Sequence, residues 1–235
     1  MKYEITSHRY ADIIFQLYPS INDCWKEVKK VLDGITDNDL IHQHLEILKE
    51  QEETKSLSKA INKLIKDRLT DLHWNAESPI FADAAYDGTD GTWRLDFAKG
   101  DVAIEVAFNH GGNCSWNLIK PVLSSELNHV QKAIQTRAGV IICATNDMKR
   151  AGGFDGAVGS YEKFCEYLKP LNNILTTPLL IVGLLPPDSF EIVQERNSHN
   201  RRVGYPKMKE TGEIFRTLEE YDPPVPFHLN IEEFL

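Results

Sequence analysis

Two carboxylates carry the clearest chemical potential in this chain: Asp96 and Glu105, within the run RLDFAKGDVAIEVAF at residues 94–108. The run falls into two β-type segments around Lys99-Gly100, which predicts a hairpin with one carboxylate toward each end. In a twisted hairpin, a residue on the first strand and one near the middle of the second can point into the same space, so both can share a divalent cation. The main-chain carbonyl of Val106 offers a third oxygen. Hard oxygen ligands of this kind hold magnesium together with waters and a substrate phosphate, the arrangement that phosphodiester hydrolysis needs.

Spacing alone leaves a second reading open, in which Asp96 ends a strand and Glu105 pairs with a base such as Arg94 or Lys120. The surroundings bear on the choice. Val102 to Phe108 is apolar except for Glu105, so the strand carries one charge at its centre. A surface ion pair contributes little, whereas a carboxylate inside such a strand is costly unless something specific, such as a metal, compensates it.

The elements that must position this pair follow from periodicity. Residues 11–32 predict two helices interrupted by Pro19, with Ser20 or Asn22 as the new cap, and residues 37–70 are again helical around a charged, solvated stretch KEQEETKS. Residues 79–93, rich in Gly, Asp and Ala, read as loop or irregular strand before the hairpin. Leu118 to Arg137 predicts a helix, with Leu123, Leu127, Val130 and Ile134 on one side and Pro121 near its start. GVIICAT predicts a central strand, residues 147–160 a Gly-rich loop, SYEKFCEYLKPL a helix capped by Ser160, and TPLLIVGLLPP another buried strand. Together these describe an α/β core with a helical N-terminal subregion.

Length and composition fit that frame. A chain of 235 residues is expected to form one domain, divided here into a mainly helical part (1–75), an α/β core (76–190) and a C-terminal segment (191–235). No apolar run is long enough to cross a bilayer and MKYEITSHRY lacks the features of a secretory signal, so the expected compartment is the cytoplasm. The four cysteines show no metal or redox spacing. A net charge of −9 argues against nonspecific nucleic-acid binding but leaves room for a cleft with confined positive charge.

The run from Lys66, KDRLTDLHWNAESPIF, followed by LDFAKGDVAIEVAFN, resembles type II restriction endonucleases of the BglII group within the PD-(D/E)XK superfamily. These share a helix ending in His-Trp and then D-F-x-K-x-D-x-x-x-E-V-x-F. The likeness continues through HRYADIIF, SSELNH, VIICAT, SYEKF and IVGL. It implies a central mixed sheet flanked by helices, and homodimers that use magnesium to cut both strands of a short palindromic site, beside a companion methyltransferase in the host. Asp96 and Glu105 match the metal ligands, with the Val106 carbonyl beside them.

Position 107 departs from the pattern: the group carries Gln and the wider superfamily Lys or Glu, whereas this chain has Ala107, which can neither bind nor orient water. Glu77, four residues after His73, could ligate the metal or orient the water, or could be a solvated loop acid before Pro79. Lys99, Lys120 or Lys132 could supply charge from another element, Lys99 being expected to lie exposed at the hairpin tip. A catalytically degraded DNA-binding protein, or a repair or methylation-dependent branch, are the alternative functions.

Three segments offer the donors and acceptors that groove recognition needs. Asn109, His110 and Asn113 follow the hairpin and are also ordinary turn residues. Lys149, Arg150 and Asp155 lie in the Gly-rich loop. ERNSHNRRVGYPKMK holds Arg196, Arg201, Arg202, Tyr205, Lys207 and Lys209 and is the most basic stretch of the chain. The acidic end, EEYDPPVPFHLNIEEFL, is expected to pack on the body or a partner.

Overall fold

A computed structural model describes residues 1–51, 53–86, 92–126 and 129–222. The N-terminal third is strand β1 (Tyr3–His8) and four helices, α1 (Ala11–Leu17), α2 (Pro19–Gly34), α3 (Asp37–Glu50) and α4 (Ser58–Asp71). Neither Ser20 nor Asn22 caps α2; its N-cap is Tyr18 and Pro19 occupies the first turn, where a missing N–H costs nothing. Thr36 caps α3 through a reciprocal capping box with Asp39. The core continues with β2 (Asn75–Pro79), β3 (Arg94–Lys99), β4 (Val102–Val106), α5 (Cys114–Ser125), β5 (Ala138–Ala144), α6 (Asn146–Ala151), α7 (Tyr161–Leu168) and β6 (Leu179–Leu184). A separate hairpin, β7 (Phe190–Arg196) and β8 (Arg202–Met208), follows, and α8 (Leu218–Tyr221) is the last described helix.

The six strands from β1 to β6 form one mixed sheet in the order β1-β6-β5-β4-β3-β2, with β4, β5 and β6 parallel and the rest antiparallel. Alternation assigns its two faces. Val102, Ile104, Val140, Ile142 and Val182 pack with Phe15, Val28, Leu32, Ile61 and Ile65 of the N-terminal helices. Ala107, Ile141, Cys143 and Ile181 pack with Leu118 and Val122 of α5 and Phe164 and Leu168 of α7. Glu105 has the same parity as Ala107 and therefore faces α5.

The α5 helix is shorter than periodicity predicts. It starts at Cys114, carries Pro121 internally and ends at Ser125. Residues 131–133 instead run extended: Ala82 donates to the Gln131 carbonyl at 2.9 Å, and Ala133 to that of Ile80 at 3.0 Å. Val130 and Ile134 thus join a small cluster with Ile80, Phe81 and Leu95 without helical geometry; Leu127 lies outside the described residues. The Gly-rich 147–160 stretch likewise begins as helix α6, because Thr145 accepts the Met148 N–H and caps it. Ser160 caps α7 as expected. Residues 223–235, most of the acidic end, lie outside the described residues.

Candidate active site

The carboxylates sit where β3 and β4 part. Phe97 pairs with Ile104, and one further step of the same register sets Asp96 opposite Glu105. The ladder has already opened there. Asp96 Oδ2 accepts the Val106 N–H at 2.6 Å, so the carboxylate satisfies a backbone donor that β3 leaves free. On its other side, the β2–β3 register sets Glu77 opposite Asp96, and Glu77 lines with it a small cleft closed by Asn62 and Lys66 of α4. Three acidic residues therefore share a row across β2, β3 and β4. Glu77 is exposed and holds a left-handed backbone, φ 50°, unusual for a residue with a side chain.

Glu105 is 1% exposed. Its Oε2 meets the ammonium of Lys120, itself 8% exposed and reaching in from α5, while its Oε1 has no hydrogen-bond partner among the described residues. Lys120 also donates to the Arg94 carbonyl at 3.1 Å. Burial first, and then Asp96, pushes the Glu105 carboxyl well above the usual carboxylate range, against Lys120, which favours its charge. Burial likewise raises Asp96, with Glu77 adding to the rise and the Val106 amide and Lys120 opposing it.

One ammonium thus faces two buried or half-buried carboxylates, with a third close by and one oxygen without a hydrogen-bond partner among the described residues. That is a donor set with surplus negative charge and hard oxygen ligands, which a divalent cation fits. Among the described residues, however, no three His, Cys, Asp or Glu side chains form a ready metal cluster.

The hairpin that carries both acids is pinned at its tip. Lys99 is not exposed there. Its ammonium bonds both oxygens of Glu27 at 2.8 and 2.7 Å and the Leu72 carbonyl at 2.8 Å, and Trp74 donates to Glu27 at 2.8 Å. Lys132 is also withdrawn from the acids: it lies over the Phe81 ring, 4.6 Å from its centroid. Of the three lysines weighed from sequence, only Lys120 reaches the carboxylates. It was one of the two bases that the sequence offered as a partner for Glu105, and the pair forms.

The segments expected to read a partner converge at the carboxyl ends of β4 and β5. Gly111 donates to the Ala157 carbonyl at 2.7 Å and Gly159 to that of Asn109 at 3.0 Å, lacing the loop after β4 to the loop after α6. Gln194 of β7 donates to the Gly153 carbonyl at 2.9 Å, bringing the β7–β8 hairpin alongside. Several of the named side chains have internal partners. His110 Nδ1 accepts from Gly112, Asn109 Oδ1 from the buried Asn117, and Asp155 Oδ1 from Ala157. Lys149 caps its own loop through the carbonyls of Gly156, at 3.1 Å, and Val158, at 2.5 Å. Arg150 pairs with Asp147 and Arg201 with Glu53, and Arg196 donates to Asn200 Oδ1 at 2.6 Å. Tyr205 lies under Arg216, Lys207 stands 3.7 Å from Glu191, and Lys209 donates to the Pro187 carbonyl. Asn113 and Arg202 are exposed.

A mixed sheet covered by helices on both faces, with carboxylates where its central hairpin opens, defines the restriction-endonuclease-like nuclease class. The chain belongs to the restriction endonuclease BglII/BglIII family, whose model matches residues 3–184. It is thereby a site-specific deoxyribonuclease of a family that uses divalent metal ions. It is 28% identical over 201 residues to the type II restriction enzyme BglII of Bacillus subtilis, covering 81% of this chain and 78% of that protein. The fold resembles BglII complexed with a DNA 16-mer, with a TM-score of 0.59 and 21% identity over 88% of this chain and 91% of that one. Free BglII matches with a TM-score of 0.52 and 19% identity, over 92% and 99% of the two chains. Among the described residues, no helix is long and apolar enough to cross a membrane.

Proposed function

We propose that this protein is a magnesium-dependent type II restriction endonuclease that acts as a homodimer on a short palindromic site in double-stranded DNA. Its cellular partner is a DNA methyltransferase that protects the host, and its compartment is the cytoplasm. The whole chain works as a single nuclease domain, with residues 1–75 as a helical subregion, 76–190 as the catalytic core and 191–235 as a DNA-contact and C-terminal segment.

The observation that carries this reading is Glu105: a carboxylate 1% exposed, beside Asp96, with one oxygen left without a partner among the described residues. A folded protein tolerates such an atom where a ligand completes it. Asp96, Glu105 and the Val106 carbonyl would hold the cation, and Glu77 assists from β2. When bound, Mg2+ supplies Lewis-acid polarisation of the phosphate and a more acidic water. Asp96 keeps the mouth of the hairpin open by occupying the Val106 N–H, and apolar packing from α5 keeps bulk water away from Glu105. Asn109, His110, Asn113, Lys149, Arg150, Asp155, Arg196, Arg201, Arg202, Tyr205 and Lys207 would contact DNA from the convergent loops, after some exchange their internal partners for phosphates or base edges.

One observation favours a second reading, a DNA-binding protein that has lost catalysis. Ala107 is 2% exposed and offers no polar group where the family has one. Incubation of the purified protein with unmethylated phage DNA and Mg2+ separates the two. Discrete fragments that vanish with Glu105→Ala support the enzyme, and binding without cleavage of methylated or unmethylated DNA supports the second reading.

A further inference from the structure

The side chain of residue 107 would project from β4 toward α5, on the same face as Glu105. Ala107 leaves that direction to the helix: its methyl packs with Cys114, Leu118 and Val122, and Lys120 enters beside them. Gly139 makes the approach possible, since a Cβ there would stand 2.7 Å from Pro121, the residue after Lys120. A lysine brought into an apolar layer must have its ammonium anchored, and it is, by Glu105 and by the Arg94 carbonyl. Among the described residues these are two acceptors for three N–H donors.

We propose that Lys120 is the catalytic residue that replaces the polar group absent at 107. Its ammonium neutralises Glu105 while the site lacks a cation, and turns to the attacking water and the reacting phosphate when a cation takes over that carboxylate. The proposal rests on the metal-dependent nuclease reading above. In the hydrolysis the water oxygen forms a bond to phosphorus, one P–O ester bond breaks, the departing alkoxide gains a proton from solvent, and the attacking water loses one to solvent. Lys120 donates hydrogen bonds throughout and neither gives up nor receives a proton.

The two duties separate in Lys120→Met. Removing a competing cation from Glu105 tightens binding of Mn2+ to the DNA-free protein on the order of tenfold, read by calorimetry. Removing the donor slows single-turnover cleavage about a hundredfold at saturating Mg2+ and DNA. A lysine that only balances charge gives no such opposition. Ala107→Lys combined with Lys120→Met returns an ammonium from the strand, and cleavage is expected to recover at least about tenfold over the single variant.

Lys120→Met that cleaves like the parent overturns the proposal, as does slow cleavage accompanied by weakened Mn2+ binding. If Lys120→Met does not fold, the double variant decides alone: cleavage supports the role, and a folded but inactive protein, or one that also fails to fold, overturns it. A parent that neither cleaves DNA nor binds Mn2+ refutes the nuclease reading itself. A parent that does both, with a variant that behaves alike, refutes only Lys120.

Discussion

Gly139→Ala tests how tightly the fold must hold α5 against the sheet. The added Cβ would meet Pro121 Cβ and Leu179 Cδ2, each at 2.7 Å. Carbon atoms pack at about 3.5–4.0 Å, so each neighbour must yield by roughly 1 Å. Leu179 can rotate; the Pro121 ring cannot, and α5 must lift from β5. Overpacking of this kind costs about 1–3 kcal/mol of stability, readable as a lower urea midpoint. Lys120, the next residue, moves with the helix and loses its 3.1 Å bond to the Arg94 carbonyl. A displacement near 1 Å at a reacting centre costs about a hundredfold in rate. Single-turnover cleavage at saturating DNA should fall by that order, while affinity for DNA in Ca2+ changes little. Cleavage within about threefold of the parent, roughly 0.6 kcal/mol in the barrier, together with the expected loss of stability, would refute the reasoning, because α5 would then have moved without consequence for the chemistry.

Other consequences concern single groups. His44 is fully buried, with Nε2 on the Gly204 carbonyl at 2.8 Å and Nδ1 unpartnered among the described residues. Burial lowers its pKa below the ordinary 6.5, against the Gly204 bond. The unfolded chain therefore takes up the proton first, and stability is lost as pH falls from about 6.5 toward the folded-state value, at no more than about 1.4 kcal/mol per pH unit from this group. Urea titrations of His44→Gln should show a shallower slope in that window, and an unchanged slope would exonerate His44. At Glu77 the φ of 50° separates two effects: Glu77→Gly relieves the backbone and should stabilise by about 1 kcal/mol, yet both Glu77→Gly and Glu77→Ala should slow cleavage by about tenfold or more. Full cleavage by Glu77→Ala would remove it from the mechanism.

Much of the architecture was legible because buried strands advertise themselves. GVIICAT and LLIVGL could only be central, and the Lys99-Gly100 break marked the hairpin that carries Asp96 and Glu105. Polar or mixed strands did not: β1, β2 and the β7–β8 hairpin are half-exposed and lack a long apolar run, so ERNSHNRRVGYPKMK read as a basic stretch although β8 runs through it. The helix predicted to Arg137 failed because Val130 and Ile134 keep helical spacing by coincidence, while the backbone between them, at Gln131 and Ala133, is claimed by Ala82 and Ile80. At the site, the acids were visible as charges in the wrong company. Lys120 was not decided by sequence, because its importance comes from the face α5 presents, and that depends on contacts such as Gly139 with Pro121, 18 residues apart along the chain.

The most direct measurement is anomalous diffraction from crystals soaked in Mn2+. A peak bound by the carboxylates of Asp96 and Glu105, with the Val106 carbonyl completing the protein ligands and Lys120 drawn off Glu105, is the expected result. A structure in which Lys120 stays on Glu105 while Mn2+ binds elsewhere, or not at all, would contradict the account.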